Sequence, residues 1–365
     1  MSKQSESFSK NRRREFKEQV NYWRYNLESG FLRFTERIIL GFNVSDILSG
    51  DLAQIEHLDE VTDQVKIRKL IQNATFQMKR EESILSSEQA STPQYLFKIQ
   101  NARVDTLTGL VVLDSGFIID STFAKWQNII YRGGIGSSIK RTKRAKKKLA
   151  GTHMVMPHSP FYYHTVIDLL PNLVRIREEN PECNKVVINS LAPKWAIEIL
   201  EQFGFDVHVT KRNAVIVEDL FAISAPRVVV KRNLESLRLG LTTKPVNTLI
   251  VSRKGTPRNN DAIEESLAAL IPGAQVVDPG QLSVAEQIQL FSKAKIIIGL
   301  HGGALTNCVW MDTSSKVIEI FNHAYRTSDY ERLCMELGIK YQSVEIKNMN
   351  AQEVALIVER ITHEF

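Results

Sequence analysis

The chain has 365 residues, three cysteines and a formal charge of +6, with 43% hydrophobic and 24% charged residues. That length suits two domains plus an extension, and the balance is that of an ordinary soluble globular protein. No apolar run approaches the ~20 residues of a membrane-spanning helix, and the polar start MSKQSESFSKNRRREF does not read as a signal peptide. The cysteines (Cys183, Cys308, Cys334) are widely spaced with no metal-ligand pattern, so they read as reduced, buried thiols of a cytoplasmic protein.

Residues 1–90 read as a mostly helical, polar extension. Within it Lys10, Arg12, Arg13, Arg14 and Lys17 precede Tyr22, Trp23 and Tyr25. This pattern suits an amphipathic helix lying on a membrane, on a partner subunit or on its own domain. From Gln94 the pattern changes to short strands: 95–99, 102–105, 109–113 and 117–119. Lys140 to Lys148 then holds seven positive residues in nine. The cluster is either a solvated loop between elements or a contact for anionic lipid head groups or an acidic polymer. With no recognition motif or interleaved stacking aromatics around it, nucleic acid is not the expected partner.

Strand and helix alternate after the cluster. Strands at 154–156, 185–188, 207–209, 215–217 and 227–230 are accompanied by helices at 161–179 and 194–203. A second series starts at Asn247, with strands at 248–251, 275–277, 296–298, 317–320 and 341–344 separated by helices near 262–270, 284–292, 305–311 and 330–337. Repeated alternation predicts an α/β fold with parallel sheets covered on both faces. Two series predict two Rossmann-like lobes facing each other across a cleft, residues 91–243 and 244–365, with the last helix able to return to the first lobe.

The most informative stretch is KAKIIIGLHGGALTN, residues 293–307. A buried strand runs into a glycine turn and then a helix N-terminus. Glycine lets backbone approach a ligand closely, and the first N–H groups of a helix lie at the positive end of its dipole, which suits a phosphate or diphosphate. A tight β–α turn with nothing bound fits the same residues. Arg253 follows strand 248–251 directly, so it shares this rim, where a guanidinium can hold a diphosphate in a fork. Glu319 closes its strand on the same rim; it can accept from ribose hydroxyls, satisfy a helix N-terminus or pair with an arginine. In the first series His164 and Asp168 stand four apart in the expected helix and share a face. A carboxylate beside an imidazole fixes its tautomer, which suits a general base for a hydroxyl nucleophile. A helix histidine with one structural hydrogen bond is the plainer reading. Pro171 is expected to bend or restart that helix. The chain contains no Asp-x-Asp, H-E-x-x-H, Walker A motif or G-x-S-x-G.

In order, Tyr163-His164-x-x-x-Asp168-x-Leu170-Pro171-x-Leu173, Ser252-Arg253, the run Gln287 to Met311 and Glu319 resemble the ordered motifs of glycosyltransferase family 61. The resemblance runs from about residue 95 to 345. It implies a GT-B fold and inverting transfer of a sugar from a nucleotide-sugar donor, UDP-linked, to a hydroxyl of a saccharide or lipid-linked acceptor. It further implies a role in capsular or other surface-polysaccharide synthesis at the inner membrane face. His164 and Asp168 are the catalytic residues it implies. The implied donor site comprises Arg253, Lys254, His301, Gly302, Gly303, Ala304, Leu305, Thr306, Asn307 and Glu319. Tyr162 and Tyr163 stand where the family often carries Asn and Gly, and they are expected to face the acceptor. With no Asp-x-Asp, arginine and helix N–H groups are expected to take a metal's place, so no metal or other cofactor is expected. Peripheral membrane contact is expected through Lys140–Lys148 and the basic N-terminus, and homo-oligomerisation is left open. A nucleotide-sugar epimerase, or a non-catalytic scaffold of a polysaccharide assembly complex, would present a similar cleft.

Overall fold

The computed structural model describes residues 76–81, 94–113, 118–119, 135–223, 234–238, 244–253, 261–322 and 326–346. The basic N-terminal cluster, Lys254, the expected strand at 227–230 and the expected last helix lie outside these residues.

Two sheets carry the fold. The first contains β1 (Phe76–Glu81), β2 (Gln94–Asp105), β3 (Val111–Val112), β4 (Ile118–Ile119), β5 (Lys148–Met156), β6 (Lys185–Asn189), β7 (Asp206–Thr210) and β8 (Ala214–Ile223). β5, β6 and β7 are parallel, β8 lies parallel beside β5, and β2 closes antiparallel on β8. β1 pairs antiparallel with β2. Residues 76–81, inside the segment expected to be mostly helical, are therefore a strand of this sheet. The charged run Lys79-Arg80-Glu81 suits an edge strand. The expected strands 95–99 and 102–105 are one strand, which continues through Asn101 at φ 51°; asparagine tolerates that left-handed backbone better than most residues.

The second sheet is wholly parallel, in the order β10 (Gln275–Val277), β9 (Asn247–Val251), β11 (Ala294–Leu300), β12 (Lys316–Asn322), β13 (Lys340–Ile346). This is the doubly wound 2-1-3-4-5 arrangement, in which the strand order reverses between β9 and β11. A crevice opens at such a reversal, outside the carboxyl ends of the two strands. Arg253 follows β9 there, and His301 follows β11.

The helices are α1 (Ile135–Lys143), α2 (Leu170–Glu179), α3 (Lys194–Gln202), α4 (Asp261–Leu270), α5 (Val284–Ser292) and α6 (Asp329–Leu337). α5 begins at a capping box, in which the Ser283 side chain accepts from the Glu286 N–H while Glu286 accepts from the Ser283 N–H at 2.8 Å. α6 ends on Gly338 in the left-handed region, φ 68°. The expected helix 305–311 is a 3₁₀ segment, Gly303–Trp310. Leu305 to Trp310 are all buried, so a short, narrow helix is wedged between the layers.

The basic cluster is not a plain loop. It covers the end of α1 and the first residue of β5, and Arg141 leaves the charged surface to pair with the fully buried Asp105 at 2.6 Å. The other six cations stand exposed. One hydrophobic core runs through both lobes, from Met154, Val166 and Ile188 to Leu249, Ile297 and Trp310. α3 packs on α5 across the lobe boundary, and the Phe203 and Trp310 rings meet there at 6.1 Å.

Candidate active site

The chain leaves β5 at Met156 and enters a wide turn. His164–Leu169 is π-helical, and the N–H of Leu170 bonds back to the Thr165 carbonyl, five residues earlier. Pro171, near the start of α2, brings no N–H of its own, so the ladder is interrupted where the wide turn meets the α-helix. The expected restart of the helix at Pro171 is thus a change of helix type. In this turn His164 Nδ1 lies 2.6 Å from Asp168 Oδ2, with both side chains about a third exposed. Asn172 Nδ2 holds the Asp168 backbone carbonyl at 3.0 Å. A carboxylate only accepts, so the bonded Nδ1 carries the proton and Nε2 of the neutral ring is left as the acceptor nitrogen.

The rim of the second sheet is built around Arg253. Its N–H donates to Glu264 Oε1 at 2.8 Å, while the Ser252 hydroxyl donates to Glu264 Oε2 at 2.7 Å. Its guanidinium donates to the His301 carbonyl and lies directly against Gly302. A Cβ at Gly302 would stand 2.5 Å from Arg253 Cζ and Nη1, so a larger residue there would push the guanidinium aside. The first role of this motif glycine is to admit a side chain of its own rim. Gly303 has no atom within 4 Å of a Cβ and is exposed.

His301 has its own carboxylate. Nδ1 lies 2.5 Å from Oε1 of Glu319, which is completely buried, and the Tyr341 phenol donates to the other oxygen at 2.6 Å. Within the chain Glu319 is thus paired with a histidine and a tyrosine, not with an arginine. The His301 ring stacks on Phe321 at 5.4 Å and meets Tyr330 edge-on at 5.7 Å. The Tyr330 phenol donates to the Gly302 carbonyl at 2.7 Å, fixing the turn from below. Burial pushes the phenols of Tyr162, Tyr163, Tyr330 and Tyr341 well up, with the Glu319 charge adding to the effect at Tyr341. All four stay neutral donors at physiological pH.

Two of the expected ligand-facing groups find partners within the chain. Asn307 is fully buried: Oδ1 accepts from the Tyr162 phenol and from Trp310 Nε1, each at 3.1 Å, and Nδ2 donates to Gln287 Oε1 at 3.1 Å and to the Ala304 carbonyl at 3.2 Å. Tyr162 is thus tied to the second lobe. Tyr163 packs edge-on between His164 at 5.5 Å and Tyr330 at 5.6 Å. A row of rings, His164–Tyr163–Tyr330–His301, therefore joins the two histidine–carboxylate pairs across the lobe boundary. Leu305 and Thr306 are buried beneath the turn, while His301, Gly303 and Ala304 remain accessible.

Residues 162–318 match the family model described as glycosyltransferase 61. These residues are a glycosyltransferase 61 domain. A second similarity is to a beta-1,2-xylosyltransferase of Arabidopsis thaliana, 26% identical over 81 residues; it takes in 22% of this chain and 15% of that protein. A structural likeness to a diflavin flavoprotein from Nostoc sp. has 14% identity and a TM-score of 0.24, covering 34% of this chain and 99% of that one, and carries no argument.

The glycosyltransferase 61 domain holds the His164–Asp168 pair, Arg253 and the glycine turn. Glu319 falls just past its end, and Tyr330 and Tyr341 lie further on. Sequence reasoning missed Glu264, Tyr330 and Tyr341 as site residues. Glu264 sits in α4 among residues that look like a solvated helix face, and nothing in its spacing points to Arg253. Among the described residues no group of three or more His, Cys, Asp or Glu is arranged to hold a metal ion. Among them, too, no helix is long and apolar enough to cross a membrane.

Proposed function

We propose that the chain is an inverting, metal-independent glycosyltransferase of GT-B type. It moves a sugar from a UDP-linked donor to a hydroxyl of a saccharide or lipid-linked acceptor in capsular or other surface-polysaccharide synthesis. The observation that carries this is the placing of two differently built polar sites on opposite sides of one lobe boundary. On one side is a histidine–carboxylate pair; on the other is a glycine turn with an arginine, at the strand-order reversal of a doubly wound sheet. The similarity of a segment to a protein named a beta-1,2-xylosyltransferase supports transfer of a pentose or hexose.

In this reading the acceptor oxygen forms a bond to the anomeric carbon as the bond from that carbon to the diphosphate breaks on the opposite face. The acceptor proton passes to His164 Nε2, and Asp168 stabilises the imidazolium. Arg253, His301 and the N–H groups opening the 3₁₀ segment offset the charge that develops on the departing diphosphate. Glu319 acts by orienting His301. The exposed cations of Lys140–Lys148 suit peripheral contact with an anionic membrane from the cytoplasmic side.

The test is transfer from a panel of UDP-sugars to simple glycoside acceptors, with the product anomer assigned by NMR. A product whose anomeric configuration is opposite to the donor's is expected. Retention, isomerisation of the donor without acceptor, or no binding of any UDP-sugar would each overturn the reading.

A further inference from the structure

Phe161 is the only aromatic among the exposed large apolar side chains of the described residues, at 50% exposure. It opens the turn that carries His164, and its ring centroid lies 5.9 Å from that of His164, the planes inclined at 72°. Its backbone is firmly held. The carbonyl accepts from the Thr165 N–H, the Thr165 hydroxyl and the Ser159 hydroxyl, each at 3.1 Å, and its N–H donates to Ser159 Oγ at 3.1 Å. The held backbone fixes where the ring leaves the chain, which lowers the ordering cost of a binding contact there. Its two neighbours, Tyr162 and Tyr163, are turned into the lobe boundary, so Phe161 is the aromatic that the turn presents outward.

We propose that Phe161 is the platform for a pyranose ring of the acceptor. This rests on the transferase reading above, and it selects a saccharide as the acceptor's reacting part. One face of a pyranose presents C–H groups that pack on the electron-rich face of an aromatic ring, while its hydroxyls project at the edge. A sugar lying on Phe161 has its edge beside His164, where a hydroxyl can give up its proton. A lipid diphosphate fits less well there, because the charged group paired with His164 is the Asp168 carboxylate, which repels phosphate.

The experiment uses the full chain with UDP present and a panel of methyl pyranosides of glucose, galactose, mannose and xylose, read by saturation-transfer NMR. At least one pyranoside is expected to show transfer concentrated on the C–H groups of one ring face. Phe161→Ala should weaken that binding about tenfold, the scale of uncovering one aromatic contact. Phe161→Trp should keep it, and both variants should keep the wild-type affinity for UDP and the wild-type melting temperature. Pyranoside binding that is indifferent to Phe161→Ala overturns the proposal, as does the absence of binding by any of the four to the wild-type chain. UDP titration is read separately. No pyranoside recognition by the wild-type chain with its UDP binding intact counts against the platform alone, whereas failure of every UDP-sugar to bind counts against the transferase reading.

Discussion

The Tyr162 phenol donates to Asn307 Oδ1 at 3.1 Å, so the residue two before His164 is fixed to the segment that follows the glycine turn. Asn307 in turn holds the Ala304 carbonyl and Gln287. One buried amide thus touches both the turn that carries His164 and the segment behind the glycine turn.

Tyr162→Phe removes one of the two donors to Asn307 Oδ1 and leaves Trp310 Nε1 in place. Stability should fall by about 0.5–1.5 kcal/mol in denaturant unfolding. Turnover should drop while the nucleotide-diphosphate affinity holds, because the donor turn keeps its other supports. Combined with Asn307→Leu, the loss should be less than the sum of the single losses. Fully additive losses would show that the two side chains do not act together.

Gly302→Ala places a methyl 2.5 Å from the Arg253 guanidinium carbon and displaces that side chain. Nucleotide-diphosphate binding should weaken roughly 10- to 150-fold, the worth of one charge-assisted pair. Arg253→Ala should match it, and the double variant should be no worse. Gly303→Ala, in open space, serves as the control and should stay within about threefold of wild type. Calorimetric dissociation constants decide this; a tolerant Gly302→Ala would separate Arg253 from the diphosphate.

His164→Ala should lower kcat by about 10²–10⁴, with donor binding barely changed. Asp168→Asn should cost less, since the imidazole remains. The reverse ranking would make Asp168 the base and His164 an acceptor contact. Two well-folded variants with wild-type kcat would place the base elsewhere.

Chelation should leave turnover largely intact. Arg253 and the 3₁₀ N-terminus are the groups proposed to face the diphosphate, and the sequence offers no Asp-x-Asp. Activity abolished by EDTA and restored by Mg²⁺ or Mn²⁺ would overturn metal independence.

Much of the second sheet is legible in the sequence, because β9, β11 and β12 carry short apolar runs and helical segments separate them. The i, i+4 spacing of His164 and Asp168 also predicts their contact, since it depends only on local geometry. What the spacing cannot convey is direction. Asn307 and Tyr162 look like polar residues of a ligand site, yet their hydrogen bonds run across the lobe boundary, between positions 145 residues apart. The partners of Glu319 are hidden for the same reason: His301 and Tyr341 come from neighbouring strands, and only the parallel register brings them to one carboxylate. Arg141 shows the limit for charge runs. Six of the seven cations follow the expected solvated pattern, and the seventh is drawn inward by Asp105, a residue that composition alone would place in water.

A π-turn is equivalent to an α-helix that has accepted one extra residue. The segment His164–Leu169 can therefore be understood as an insertion retained within an ordinary helix. Deleting one residue there should let the helix close into regular geometry, leaving the core positions of α2 in place. Everything before the deletion would rotate by about 100° about the axis. Tyr162 and Tyr163 would then leave the lobe boundary together. The same fold could thus lose or regain its proposed chemistry through a single codon, without a change to either sheet.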